Sequence, residues 1–221
     1  MGIIGVVAAL TLPNLNSSTG DKEKVAKLKK VYANLNDAIG RAIAVYGPIE
    51  TWPPSSDDAS GTTRFYERIS EFLKISKDCG NADSSKICWN EDLSEHQTYR
   101  SFILADGTGV FLYANILCSE PNTELKSGEY TCGVMTFDID GANKGKNTLK
   151  YDIFDFLITK DGIIPRGGAT SNYWNSTHGC WLYGHCSEWV LMNGNMDYLK
   201  ADSSGKCTNG TQLSETVTSC K

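Results

Sequence analysis

The chain has no excess of basic residues, which argues against one large class of function. Its 21 Lys and Arg are outnumbered by 26 Asp and Glu, giving a formal net charge of −5 at pH 7. Proteins that bind nucleic acid usually carry a clustered positive surface, so we expect no nucleic-acid partner. Histidine is also scarce, and the 3 present leave few candidates for general acid–base catalysis.

The sequence also lacks the short motifs that mark common catalytic sites. It contains no G-x-S-x-G nucleophile elbow, no H-E-x-x-H zinc motif, no phosphate-binding P-loop and no G-x-G-x-x-G dinucleotide fingerprint. No pair of carboxylates stands out apart from one Asp-rich segment near residue 140. We therefore predict that the protein is not an enzyme.

The most unusual segment that is present is the uncharged apolar run Met1–Leu15. It is shorter than the roughly 20 residues that cross a bilayer as a helix, and it lacks the basic start and small-residue cleavage site of a secretory signal. We interpret it as the second half of a membrane or filament-core helix whose first half is missing. The alternative is a buried N-terminal helix or strand of an unrelated domain. The apolar side chains of the run are Ile3, Ile4, Val6, Val7, Leu10 and Leu12.

A polar segment, residues 14–20, follows Pro13 and precedes a long amphipathic pattern. Proline interrupts helices, so we expect a break or kink there. From Asp21, the predicted N-cap, apolar residues recur at steps of three and four until Gly47-Pro48 ends the pattern. This predicts a helix over 21–46 with one buried stripe: Val25, Leu28, Val31, Leu35, Ile39, Ala42 and Val45. Its solvated face is predicted to carry Lys22, Lys24, Lys27, Lys29 and Lys30.

The second part of the sequence has the period of strands rather than helices. After a predicted surface loop, Trp52–Gly61, and a predicted short helix, Thr62–Ser76, two strands flank the turn Asp106–Gly109. The predicted strands are Ser101–Ala105, Val110–Ala114, Tyr130–Ile139, Ile153–Ile158 and Ile163–Pro165. Helices followed by closely spaced strands predict an α+β fold, with the long helix packed on an antiparallel sheet.

Eight cysteines fall into successive pairs along the chain: Cys79/Cys88, Cys118/Cys132, Cys180/Cys186 and Cys207/Cys220. Such a density in a loop-rich chain favours disulfides and an oxidising compartment. Pairing neighbours is the simplest of roughly a hundred possible connectivities. The competing interpretation is a zinc site, which lacks standard Cys2His2 spacing and would use His178, Cys180, His185 and Cys186.

The Asp-rich segment has the composition of a loop that binds a hard cation. Ca²⁺ takes six to eight oxygen ligands, and alternating oxygen-bearing side chains around glycine can supply them. The candidate ligands are Asp138, Asp140, Asn143, Asn147 and Asp152. The pattern is not an EF-hand, because no acidic residue stands at the twelfth position. The alternative is a metal-free turn whose Asp and Asn side chains bond their own backbone.

Three of these segments resemble one family. Ile3–Leu15 resembles the downstream half of the N-terminal helix of type IV pilins and of the pseudopilins of type II secretion systems. Leu28–Tyr32 and Asn36–Ile39 resemble the lower half of that spine helix. Residues 137–166 resemble an Asp-rich loop of pilin-like heads, which binds calcium in some pseudopilins. The family's basic leader, its Phe-Thr-Leu-x-Glu processing motif and the Glu near its mature N-terminus are absent from this sequence.

The resemblance implies a pilin-like α+β protein with two parts. Residues 1–20 would be the remnant of the membrane or filament-core helix with its joint. Residues 21–221 would form the globular head, with spine helix 21–46 and a Cys-rich C-terminal region, 166–221.

The implied function is a structural subunit of a type IV pilus or type II secretion-like filament. Members of the family are processed and methylated at the N-terminus and are anchored in the inner membrane before assembly. They then assemble with other pilin or pseudopilin subunits at the cell surface or in the periplasm. The alternative function is a secreted, disulfide-rich adhesin or carbohydrate-binding module. It would use the Asp138–Asp152 segment and the aromatic residues of the C-terminal third: Tyr173, Trp174, Trp181, Tyr183 and Trp189. The same aromatic residues also suit a small core held between disulfides, which is the interpretation we favour.

Overall fold

One helix is much longer than every other described element. α1 (Ile3–Tyr46) has 44 residues and is about 66 Å long at 1.5 Å per residue. The computed structural model describes residues 3–53, 61–121, 130–167, 180, 184–214 and 216–221, and the side chains of α1 from Thr19 onward. In these described ranges, no helix has a stretch long and apolar enough to cross a membrane.

α1 begins earlier than the predicted helix over 21–46. Of the predicted break or kink after Pro13, the break is wrong. Residues 14–20 are helical, so Asp21 lies inside α1 rather than at its N-cap. A proline removes only its own N–H donor, and it can bend a long helix without ending it. The predicted end is confirmed: Gly47 has a left-handed φ of +81°, and its N–H donates to the Ile43 carbonyl over 2.9 Å.

An antiparallel sheet forms the second layer. Six strands follow the order β1-β2-β3-β6-β7-β8, and every neighbouring pair is antiparallel. β4 and β5 form a separate two-stranded ribbon. The α+β class with an antiparallel sheet is confirmed, as are the predicted hairpin (β2–β3) and the last two strands (β7–β8). The strands are β1 (Ile75–Asn81), β2 (Arg100–Leu104), β3 (Gly109–Ala114), β4 (Glu120–Pro121), β5 (Tyr130–Thr131), β6 (Gly133–Asp138), β7 (Ile153–Thr159) and β8 (Gly162–Pro165).

Two predicted elements have different bounds in the structure. α2 (Thr62–Ser70) is shorter than the predicted helix, because Ile75 and Ser76 already belong to β1. The predicted strand Tyr130–Ile139 is divided at Cys132, and Gly133 follows with a φ of +130°. A Cβ at Gly133 would collide with the Tyr113 carbonyl, so this position requires glycine.

α1 packs on the face of the sheet formed by β6, β7 and β8. The ring of Tyr32 stacks on Phe156 in β7 with centroids 5.5 Å apart, and Phe156 stacks on Phe137 in β6 at 4.5 Å. β8 is an edge strand, and its Ile163 N–H donates to Asn36 Oδ1 at 3.0 Å. The Tyr32 hydroxyl donates to the Ile163 carbonyl at 3.4 Å. Polar side chains of α1 therefore satisfy backbone groups that no further strand pairs with.

The buried stripe of α1 matches the predicted stripe except at its end. Val45 is 61% exposed, so its inclusion was wrong. Tyr46, four residues after Ala42, takes the inward position in the last turn and packs against the core, which turns Val45 toward solvent. The other predicted positions are all buried: Val25, Leu28, Val31, Leu35, Ile39 and Ala42.

The opposite face of the sheet carries a smaller apolar cluster. Trp89 and Leu93, from the connection between β1 and β2, pack with Phe111 of β3 and Ile153 of β7. Phe111 and Ile153 point away from α1, and their neighbours along each strand point toward it, as the two-residue period of a strand requires. Both faces of the central strands are therefore covered, and all seven residues of β7 are buried.

Two assignments outside the sheet need correction. Trp52 was predicted to lie in a surface loop, but it is 3% exposed and packs against Phe65 of α2 at 5.8 Å. Residues 54–60 of that loop lie outside the described residues. The composition of Cys180–Lys221, rich in Cys, Gly, Ser, Thr and Asn, predicts an irregular cap held by disulfides. This segment nevertheless contains α3 (Ser187–Asn193), whose Trp189 is buried in the main core.

We predict that Leu35→Asp unfolds the head, whereas Asn34→Asp, one residue earlier on the exposed side of α1, has little effect. Leu35 is 0% exposed, and an unpaired charge at a buried position costs several kcal/mol. Surface substitutions usually change stability by less than about 0.5 kcal/mol. Thermal unfolding followed by circular dichroism checks both variants. A Leu35→Asp melting temperature equal to that of the wild type would show that the stripe is not buried.

Candidate functional site

The four disulfides join the predicted neighbouring cysteines: Cys79–Cys88, Cys118–Cys132, Cys180–Cys186 and Cys207–Cys220. This contradicts the zinc interpretation, because Cys180 and Cys186 are bonded to each other and offer no thiolate ligand. His178 lies outside the described residues. His185 Nδ1 lies 2.7 Å from Asp155 Oδ2, a carboxylate on β7.

The acidic loop, residues 138–152, connects β6 to β7 and contains all five predicted calcium ligands. Asp138 is the last residue of β6, and Asp152 directly precedes β7; both are 0% exposed. Asp140 is partly buried, whereas Asn143 is exposed. The structure thus brings the three carboxylates to one end of the sheet and leaves Asn143 at the surface.

Asp138 has two differently placed carboxylate oxygens. Oδ1 accepts hydrogen bonds from the N–H groups of Asp140 at 3.2 Å and Gly141 at 3.0 Å. Oδ2 is buried and has no hydrogen-bond partner among the described residues. Burial, helped by the nearby charges of Asp152 and Asp140, raises the pKa of Asp138 to about 6.

Asp152 organises the second half of the loop through backbone hydrogen bonds. Its Oδ2 accepts from the N–H groups of Lys146 and Asn147, and its Oδ1 accepts from that of Thr148 at 2.8 Å. Three N–H donors turn inward to one carboxylate, as the metal-free alternative requires of an Asp-rich turn. They also occupy lone pairs that a metal ion would need.

Asp140 pairs with a residue that was predicted to be solvated. Lys24 Nζ lies 3.0 Å from Asp140 Oδ2 and donates to the Tyr151 carbonyl at 3.3 Å. Lys24 stands four residues before Leu28 and next to Val25, so it borders the buried stripe of α1. Its spacing from Val25 and Leu28 is the one feature of the sequence that could have predicted this contact. Nothing in the lysine cluster itself distinguishes Lys24 from its neighbours.

The loop closes tightly around its carboxylates. Gly145 has a φ of +70°, and a Cβ there would collide with Asp152 Oδ2 and approach Asp140 Oδ2 to 2.9 Å. Asn147 also has a left-handed φ, of 49°. Its Oδ1 is buried and has no hydrogen-bond partner among the described residues. Two buried oxygens, on Asp138 and Asn147, therefore lack a donor.

The residues fit calcium in composition but not in their present arrangement. Two ligands of one Ca²⁺ are separated by at most about 4.8 Å, twice the ligand distance, and no three carboxylates of the described loop come within 4.8 Å of one another. The described group that does meet this limit is Cys79, Asp83 and Cys88, whose cysteines are bridged. Calcium binding by the five predicted residues stays a prediction.

The aromatic C-terminal third is described only in part. Trp189 is 4% exposed, and its Nε1 donates to Asn195 Oδ1 at 3.1 Å. It therefore belongs to the core rather than to a binding surface. The other aromatic residues of this set lie outside the described residues: Tyr173, Trp174, Trp181 and Tyr183.

Comparison with known proteins gives no assignment. No family model matches the chain, and no curated protein or solved structure matches it either. The function therefore has to be inferred from the residues of the chain itself and from how the fold places them.

We predict that Asp138→Asn stabilises the protein at pH 7 and leaves its stability at pH 4 nearly unchanged. The folded protein holds the Asp138 proton more tightly than the unfolded chain, whose aspartates titrate near 3.8. The resulting stabilisation is fully present below that pH and is lost as the pH rises through about 6. A shift of two pKa units corresponds to at most about 3 kcal/mol.

Urea unfolding between pH 4 and 7, with chelator present, measures this difference. Asparagine keeps the Oδ1 acceptor, so the loop geometry is retained. Asp106→Asn is the matched control, because Asp106 Oδ1 also accepts a backbone N–H, that of Thr108 at 3.1 Å, but Asp106 is exposed. An Asp138→Asn variant that loses the same stability at both pH values would contradict the assignment.

Proposed function

We propose that the protein is a structural subunit of a type IV pilus or type II secretion-like filament, anchored in the inner membrane before assembly. One observation carries this proposal: α1 is a single helix that contains both the apolar N-terminal sequence and the stripe buried in the head. A subunit of this kind needs one helix that holds its own head at one end and meets its neighbours or lipid at the other.

The C-terminal part of α1 packs in the head, and the N-terminal part is proposed to contact neighbouring subunits or lipid. Burial against the head begins at Val25 and continues to Ala42. About 33 Å of helix precede Val25 at 1.5 Å per residue, and this length contains the uncharged sequence from Ile3 to Leu12. Apolar helices associate in membranes and filament cores through close side-chain packing rather than through ion pairs.

The head supports the same proposal through its covalent links. Four disulfides close loops with sequence separations of 9, 14, 6 and 13 residues. Short closed loops of this size stabilise a domain by about 2–3 kcal/mol each in the chain-entropy model. Bridges persist outside the cytoplasm, which agrees with a head exposed in the periplasm or at the cell surface.

A secreted carbohydrate-binding module is the second candidate, because an open cavity lies beside the acidic loop. Its volume is about 710 Å³, within the range of small-molecule sites. The residues that line it include the aromatic Tyr99 and Phe111 and the acidic Glu91 and Asp92. The gene sequence upstream of Met1 separates the two candidates. A basic leader with Phe-Thr-Leu-x-Glu favours the filament, and an ordinary signal peptide favours the secreted module.

We predict that Leu10→Asp abolishes filament assembly and leaves the head folded. A charged residue at the centre of a membrane helix costs about 2.5–3.5 kcal/mol, and the stripe that holds the head begins only at Val25. The measurement is the yield of filaments sheared from cells of the encoding organism, by electron microscopy and immunoblot.

Ser17→Asp is the matched control, because it adds the same charge in the polar segment that follows the apolar run. We expect filaments from this variant and unchanged melting temperatures for both heads. Normal filament yield from Leu10→Asp would contradict the proposed role of the apolar run.

A further inference from the structure

The acidic loop carries three lysines of its own, Lys144, Lys146 and Lys150, which equal its three aspartates in number. A further positive charge reaches the loop from α1. The ammonium group of Lys24 contacts Asp140 Oδ2 at 3.0 Å and the Tyr151 carbonyl at 3.3 Å. The Lys24 side chain is 26% exposed and that of Asp140 28%, so the pair is screened from much of the solvent. One carboxylate and one main-chain carbonyl, from opposite ends of the loop, therefore converge on one cation.

The position of Lys24 on α1 is fixed by the packing of its neighbours. Val25 follows it directly and Leu28 lies one turn later, and both are buried in the main core. The ammonium group is thus carried to the loop by a helix that cannot rotate without exposing its stripe. The loop in turn is joined to α1 by this lysine, although 127 residues separate Lys24 from Tyr151 in the sequence.

Buried oxygens without donors provide an independent observation that the loop favours cations. Asp138 is 0% exposed, and its Oδ2 has no hydrogen-bond partner among the described residues. Asn147 Oδ1 is likewise buried and has no hydrogen-bond partner among the described residues. Buried acceptors of this kind are normally satisfied, because an unpaired one costs the free energy of its desolvation. These atoms lie in the loop that Lys24 enters.

We propose that Lys24 takes the place of a metal ion in this protein, neutralising Asp140 and joining the loop to α1 so that the loop folds without calcium. This is the opposite of the prediction made from the sequence of the loop. The loop keeps the oxygen chemistry of a site for a hard divalent cation. Withdrawal of the ammonium frees Asp140 Oδ2 and the Tyr151 carbonyl. Because the carboxylates of the loop do not converge in the present arrangement, calcium binding then requires the loop to draw these oxygens toward the unpaired oxygens of Asp138 and Asn147.

The test replaces Lys24 by methionine, which retains most of the aliphatic chain and removes the charge. We expect Lys24→Met to melt about 2–4 °C below the wild type, as a loss of about 1 kcal/mol does in a domain of this size. Calcium at about 5 mM, above the range in which extracellular modules bind it, should restore the melting temperature. Magnesium at the same concentration should not, because it gives up its water reluctantly and demands octahedral geometry.

Two further variants separate the site from general charge effects. Lys22→Met removes an exposed lysine from the same turn of α1 and should show neither the loss nor the response to calcium. Lys24→Met combined with Asp140→Asn removes both charges of the pair. This double variant should recover stability without calcium and lose most of the calcium response.

The decisive comparison is between calcium titrations of the wild type and of Lys24→Met. Calorimetric titration of the wild type with calcium should give no heat of binding, whereas Lys24→Met should give a saturable heat. Calcium binding by the wild type as tight as that by Lys24→Met would overturn the proposal. So would a Lys24→Met variant that is as stable as Lys22→Met, or one that is destabilised but does not respond to calcium.

Discussion

The packing of the α1 stripe against β6, β7 and β8 is the contact on which the rest of the head depends. Val25, Leu28, Val31, Leu35 and Ile39 are all buried there, and each such side chain contributes about 1.5–3 kcal/mol when it leaves water. Their sum, of the order of 10 kcal/mol, is as large as the whole stability of a typical domain. The sheet cannot keep one face dry without α1. The C-terminal half of α1 also packs against α2, where the guanidinium of Arg68 lies 3.7 Å from the ring centroid of Tyr46.

This contact also determines what the rest of α1 can do. The stripe of α1 from Val25 onward is buried in the head. In the proposed filament, the apolar sequence from Ile3 to Leu12 is therefore the part of the helix that can contact neighbouring subunits or lipid. The same packing delivers Lys24 to the acidic loop, one turn before Leu28. The helix thus positions both the proposed assembly segment and the only described ion pair between α1 and the loop.

Periodicity predicted the elements whose side chains alternate clearly between core and solvent. The α1 stripe and the β2–β3 hairpin have such patterns, and neighbouring cysteines predicted the four bridges. β1 was missed because its sequence, Ile75–Asn81, begins with Ile75 and continues with Ser, Lys and Asp, so it shows no alternation of apolar and polar residues. The role of Lys24 could not be predicted, since five lysines in nine positions look alike until the packing shows which one borders the core. The helical conformation of residues 14–20 was missed because Pro13 is followed by a segment of mostly poor helix formers, residues 14–20, which by propensity predicts an interruption.

Native-state hydrogen exchange tests most directly whether α1 and the sheet form one cooperative unit. Amides in the buried part of a cooperative unit exchange only by its unfolding, so they share one free energy of opening. We expect the amides from Leu28 to Ala42 in α1 to exchange with the same free energy as those of β6 and β7, equal to that of global unfolding by urea. A clearly smaller free energy for the α1 amides, with β6 and β7 still protected, would show that the head stands without the helix and would contradict this account.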